Sequence, residues 1–135
     1  ATNQSGVGRG LFDMATLNAI NDKMIEMVFR QSGRIDAVFF CPHTNEDNCN
    51  CRKPKTGMFE EIAARFHVDL KGVPVVGDSL RDLEPGARLG CLPYLVLSGK
   101  GEKTRKAGGL PPGTRVFPDL ARAAQQIIEE RAEAA

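Results

Sequence analysis

Three short, unbroken apolar runs constrain this chain more than any other feature. Ala37-Val38-Phe39-Phe40, Val73-Pro74-Val75-Val76 and the segment from Leu92 to Leu97 are too short for helices and do not alternate. Each reads as a strand buried on both faces. Between and around them, apolar residues recur at three- and four-residue steps, the spacing of one helical face. The combination predicts an α/β fold, a doubly wound parallel sheet crossed by helices.

The helices can be placed. Asp13 is a plausible N-cap for one that turns Leu17, Ile20, Met24, Met27 and Val28 to the core and ends near Ser32-Gly33. A second begins near Gly57, with Met58, Phe59, Ile62, Ala63 and Phe66 inward. Asp82 is expected to cap a third through Leu83, Pro85, Ala87 and Leu89, with Pro85 confined to its first turn. Pro118-Asp119 opens the last, with Leu120, Ala123, Ala124, Ile127 and Ile128 inward and Glu129 to Ala135 frayed. Ser98-Gly99-Lys100-Gly101 reads as a mobile loop and residues 108–113 as turns.

Size and charge narrow the function. A chain of 135 residues that is 41% hydrophobic builds one core, and residues 1–135 are expected to form a single domain. Eighteen basic against seventeen acidic residues leave a formal charge of +1, too little to gather a polyanion, so nucleic acid is not an expected partner. No apolar run approaches the roughly 20 residues of a membrane span, and the first residues lack a signal pattern. A soluble, cytoplasmic monomer without a membrane partner is expected. The chain opens on Ala1-Thr2-Asn3 rather than Met, which suggests a fragment.

Cys41, Cys49 and Cys51 crowd into eleven residues with His43. In a reducing compartment such thiols stay free, which makes metal a better reading than disulfides. Three thiolates and one imidazole are the set zinc takes at a closed structural site. The intervening Thr44 to Asn48 is turn chemistry that buries nothing, so a metal would be the only thing fixing its shape. The plainer alternative is unpaired thiols on a solvated loop. Cys91 and His67 stand apart from the cluster.

In open parallel sheets ligands lie at the carboxyl ends of strands. Three polar sets fall at or near such positions. Thr2-Asn3-Gln4-Ser5, within a stretch holding Gly6, Gly8 and Gly10, suits phosphate oxygens, although no Walker pattern follows. Arg52-Lys53 emerges directly from the cysteine loop and offers a planar fork and a point charge. Gly77-Asp78-Ser79-Leu80-Arg81-Asp82 presents two carboxylates, hard ligands suited to magnesium. Each alone could be an ordinary turn, basic pair or helix cap.

Together, Thr2-Asn3-Gln4-Ser5-Gly6, Cys41-Pro42-His43 with Cys49-x-Cys51-Arg52-Lys53-Pro54, and Gly77-Asp78-Ser79-Leu80-Arg81-Asp82 closely resemble the haloacid dehalogenase superfamily of phosphatases. The resemblance covers essentially the whole chain. It implies a magnesium-dependent phosphomonoesterase, with zinc in its loop, that releases the C7 phosphate of a heptose 1,7-bisphosphate for lipopolysaccharide-core synthesis. It further implies that Thr2 holds the transferring phosphoryl group and that Asn3, Gln4, Ser5 and Ser79 touch substrate. By the same resemblance Arg52 would recognise substrate, Lys53 would offset phosphoryl charge, Asp78 would bind magnesium, and Asp82 would support Lys53 or the metal shell.

One departure is large. The family's nucleophile and acid/base form an Asp-x-Asp-Gly pattern on a first strand, and no such pattern occurs here. The resemblance therefore implies a haloacid dehalogenase-like sheet lacking that strand, with two strand edges left unpaired. Without the attacking carboxylate, covalent catalysis cannot run, and the chain alone is expected to be inactive. A histidinol-phosphate phosphatase is the competing enzyme, because that relative has a similar zinc loop. A non-catalytic zinc module that binds a phosphorylated ligand is the reading from a different class.

Overall fold

The computed structural model describes residues 1–134 and divides into two compact units, Ala1–Ile62 and Ala63–Ala135. In the first unit, β1 (Thr2–Asn3) and β2 (Phe40–Cys41) pair in parallel, Thr2 opposite Phe40 and Asn3 opposite Cys41. The pairing continues outward, with Thr2 N–H donating to the Phe39 carbonyl at 2.9 Å and Gln4 N–H to that of Cys41 at 2.7 Å. The polar tip of one strand thus lies beside the first cysteine of the other. The strand expected over 37–40 is displaced to Phe40–Cys41, because these are the residues in register with Thr2 and Asn3, and it is short because that partner has only two residues.

After β1 the chain turns through α1 (Ser5–Gly8), whose Gly8 N–H donates to the Pro42 carbonyl at 2.8 Å. It then enters α2 (Met14–Arg30). Asp13 caps α2 as expected, accepting from the Thr16 N–H and hydroxyl at 2.8 Å each. Those bonds, the backbone one first, hold its carboxyl below the usual carboxylate range. The inward face proposed for this helix is corrected. Leu17 is buried, but Ile20, Met24 and Met27 are exposed. Amphipathic spacing says which face can be covered, and two-residue strands offer that face little area.

In the second unit β3 (Pro74–Gly77), β4 (Leu92–Val96) and β5 (Arg115–Phe117) form a parallel sheet in that order. Val76 faces Tyr94 and Leu95 faces Val116 in the registers. β3 is therefore an edge strand, without a partner on its far side among the described residues. Tyr94, Leu95 and Val96 of the central strand are buried, with Leu83 of α4 (Leu80–Arg88) and Ala123 of α6 (Leu120–Ala134). In sequence, α3 (Gly57–Phe66) runs from the end of the first unit into the start of the second.

Four further helix readings change. Ser79, not Asp82, occupies the N-cap of α4, so Asp82 lies in the first turn and Pro85 sits inside the helix, beyond the expected first turn. Residues 101–107, taken in part as loop, form α5 (Gly101–Ala107). On α6, Leu120 and Ile128 are exposed, contrary to the inward face assigned to them. On α3, Met58 and Phe59 are buried but Phe66 is exposed.

The end of α6 does not fray within the described residues. Glu130 accepts from the Tyr94 hydroxyl at 3.1 Å and pairs with Arg115, whose guanidinium also lies over the Tyr94 and Phe117 rings. Ala135 lies outside the described residues. No helix among the described residues is long and apolar enough to cross a membrane.

Candidate functional site

Cys41, at the end of β2, is fully buried and begins a compact donor cluster. Its Sγ lies 3.5 Å from both His43 Nδ1 and Cys49 Sγ, while Cys51 Sγ is 3.3 Å from His43 Nδ1 and 3.6 Å from Cys49 Sγ. All four donor atoms fall within 4.8 Å of one another. A tetrahedral ion with metal–sulfur bonds of about 2.3 Å sets ligand atoms about 3.8 Å apart, so the cluster matches such an ion.

The thiols are electrostatically unequal. Burial raises the Cys49 thiol, but a backbone hydrogen bond from Arg52 and contacts with Cys41, Cys51 and His43 outweigh it and bring it down to about 6. Burial, together with the adjoining Cys41 and Cys49, pushes Cys51 up to about 12. Within one cluster, one thiol is thus held well below its ordinary value and its neighbour well above it.

The loop between the ligands has structure of its own, which corrects the expectation that only a metal could shape it. Asn45–Asp47 form a single 3-10 turn, and the Asp47 carboxylate accepts from the Thr44 N–H at 2.7 Å. Lys55 Nζ donates to the Cys49 carbonyl at 2.6 Å, and Gly57 N–H to that of Asn50 at 3.0 Å. At Gly57 a Cβ would fall 2.3 Å from the Asn50 oxygen, so the loop closes onto α3 only over glycine. Gly57→Ala is expected to cost about 1–3 kcal/mol through this overpacking, measurable as a lower thermal midpoint.

Arg52 and Lys53 leave this loop under separate restraints. Arg52 Nε donates to Asn45 Oδ1 at 2.7 Å and its NH1 to the His43 carbonyl at 3.5 Å. Lys53 is only 9% exposed, and its ammonium donates to the Ala1 carbonyl at 3.1 Å. Asn3 accepts from the Lys53 N–H at 2.9 Å and donates to the Lys53 carbonyl at 3.2 Å. Gln4 Nε2 lies 3.4 Å from the Thr2 hydroxyl, and Ser5 opens α1.

The first unit therefore gathers Thr2, Asn3, Gln4, Ser5, Arg52, Lys53 and the donor cluster. A pocket beside the loop is lined by Asn45, Arg52, Lys53 and Lys55 among others. Asn45 and Lys55 were not singled out from sequence. Their one signal was proximity to the cysteines, in a stretch that reads as generic turn.

The second unit holds the acidic strand end. Asp78 Oδ2 accepts from the Lys100 N–H at 2.9 Å, and the Asp78 carbonyl from the Thr104 hydroxyl at 2.7 Å. Asp82 has a different setting: its carboxylate accepts from the Ser79 hydroxyl at 2.9 Å. Among the described residues no group of three or more metal-capable side chains includes Asp78, which offers a single hard ligand. Cys91 is buried, and burial raises its thiol. It takes no part in the cluster.

A family model described as HAD-hydrolase-like matches residues 50–123. Over 130 residues the chain is 58% identical to the D-glycero-beta-D-manno-heptose-1,7-bisphosphate 7-phosphatase of Bordetella bronchiseptica, covering 96% of this chain and 73% of that one. The chain belongs to this family of HAD-like phosphatases. The heptose bisphosphate phosphatase of Neisseria meningitidis serogroup A is 48% identical, over 98% of this chain and 72% of its own. A crystal structure of the Bordetella bronchiseptica D,D-heptose 1,7-bisphosphate phosphatase, complexed with magnesium and phosphate, matches with a TM-score of 0.92 at 58% identity. That match covers 95% of this chain and 72% of the phosphatase. The chain thus spans a little under three quarters of these relatives.

Proposed function

We propose that the chain carries the phosphate-gripping, metal-clamped part of an enzyme that removes the C7 phosphate from D-glycero-β-D-manno-heptose 1,7-bisphosphate during lipopolysaccharide-core synthesis. The observation that carries this reading is Lys53, a nine-tenths-buried cation fixed against the tip of β1 and two residues beyond a zinc-type donor cluster. A buried ammonium anchored next to the Thr2–Asn3 strand suits a multiply charged phosphoryl group. The β anomer follows the names of the two heptose phosphatase relatives above.

Cys41, His43, Cys49 and Cys51 would hold zinc in a closed site with no position left for water, so its work is structural. Their free thiols suit the reducing cytoplasm. Magnesium, held in part by Asp78, would supply charge neutralisation at the phosphoryl oxygens. Lys53 offsets charge that builds on those oxygens, and the Thr2 hydroxyl orients them. Gln4, Ser5 and Ser79 meet the substrate, and the Arg52 fork binds its anionic part bidentately. Asp82 steadies the Asp78 strand end through Ser79.

The chain as written contains no Asp-x-Asp pair. Binding can be measured on the chain itself, and turnover on protein in which a strand bearing Asp-x-Asp precedes Ala1. In the longer protein, phosphate release from heptose 1,7-bisphosphate is expected to outpace release from histidinol phosphate; the reverse order would overturn the substrate assignment. Asn45→Ala should weaken inorganic phosphate binding about three- to tenfold by freeing Arg52. Titration calorimetry reads this effect, and zinc content by elemental analysis should stay unchanged.

A further inference from the structure

The carboxamide of Asn3 faces the backbone of a residue fifty positions away. Its oxygen accepts from the Lys53 N–H at 2.9 Å and its nitrogen donates to the Lys53 carbonyl at 3.2 Å. Two bonds to the two polar groups of one residue fix its position and also its rotation, as a neighbouring strand would. The residue just before that strand takes the other end of the lysine side chain, because the Lys53 ammonium donates to the Ala1 carbonyl at 3.1 Å. Lys53 is thereby tied to the β1 segment at both ends of its flexible four-carbon stem.

We infer that Asn3 is a positioning residue for Lys53: its carboxamide sets the backbone from which the ammonium meets the phosphoryl group, and it is not itself a ligand to that group. This rests on the reading of Lys53 given above. A ligand meeting the Asn3 oxygen or nitrogen would share an atom already engaged with Lys53. Burial makes the restraint consequential, since a lysine that is 9% exposed has few other ways to aim its charge. The cysteine cluster anchors the chain at Cys51, and Asn3 anchors it again at Lys53, so the intervening Arg52 is held from both sides.

The test is a double-mutant cycle on the zinc-loaded 135-residue chain, reading inorganic phosphate affinity by titration calorimetry. Asn3→Ala is expected to weaken binding about tenfold with Lys53 present and less than about twofold in a Lys53→Ala background. In parallel, the Lys53 ammonium signal should shift on phosphate addition in the wild type, and no longer do so in Asn3→Ala. If the alanine variant does not fold, Asn3→Ser, which keeps a polar group on β1 but cannot span to both Lys53 groups, reads the same coupling. Equal weakening in both backgrounds, or none in either, overturns the inference and leaves the role of Lys53 standing. A Lys53→Ala chain that binds phosphate as tightly as wild type removes both.

Discussion

Cys51→Ser is expected to empty the metal site, taking the protein from one zinc per chain to close to none by elemental analysis. The donor cluster is a complete tetrahedral set, and a serine hydroxyl stays protonated where a thiolate is needed. The loss should exceed the ~10–100-fold that removing an outer partner of a zinc ligand costs. Because Arg52 follows Cys51 directly, phosphate affinity should fall with the metal, on the order of tenfold. Undiminished zinc in the variant would sink the clamp.

Acid should act on the same cluster in a defined direction. The Cys49 thiol lies at about 6, below its ordinary 9.0, so the stabilisation from its thiolate is complete above the ordinary value and is lost as pH falls through about 6. Zinc affinity, followed with a chromophoric chelator, is expected to fall more steeply with acid below that range than above it, as protons compete for this thiolate too.

Asp78→Asn, in protein carrying an upstream Asp-x-Asp strand, should lower magnesium-dependent turnover by about 100-fold or more, in the range seen when transition-state charge stabilisation is removed. The substitution is selective. An asparagine oxygen can still accept from the Lys100 N–H, and the Asp78 carbonyl keeps its bond from Thr104, so the strand end retains its shape and loses its charge. An unaltered melting curve with collapsed turnover is the expected pair of results. Full turnover would remove Asp78 from the metal site.

What could be read from sequence was local. The four donor residues of the cluster fall within eleven positions, so spacing and donor chemistry alone brought them together. The Asp13 cap lies three residues from the N–H it binds. What failed depended on distant partners. β5 is three residues opening on Arg115, and its anchors are the Tyr94 ring and Glu130 of α6, neither near in sequence. The Gly-Lys-Gly that leads into α5 looks like a flexible loop, yet a Cβ at Gly101, the first residue of the helix, would fall 1.8 Å from the Val96 carbonyl oxygen. That glycine serves close packing rather than freedom of movement. The face of α2 failed for the opposite reason, as its periodicity is genuine but covers only Leu17. Asn3 was visible as a polar residue at a strand end, but its bonds to Lys53 span fifty positions that no local pattern reports.

The 3-10 turn and the bonds from Lys55 and Gly57 have a consequence for supply. These bonds fasten the backbone around the four donors without passing through an ion. Were zinc to fill that cluster, its uptake would be an act of recognition by a loop already folded, and not an act of folding.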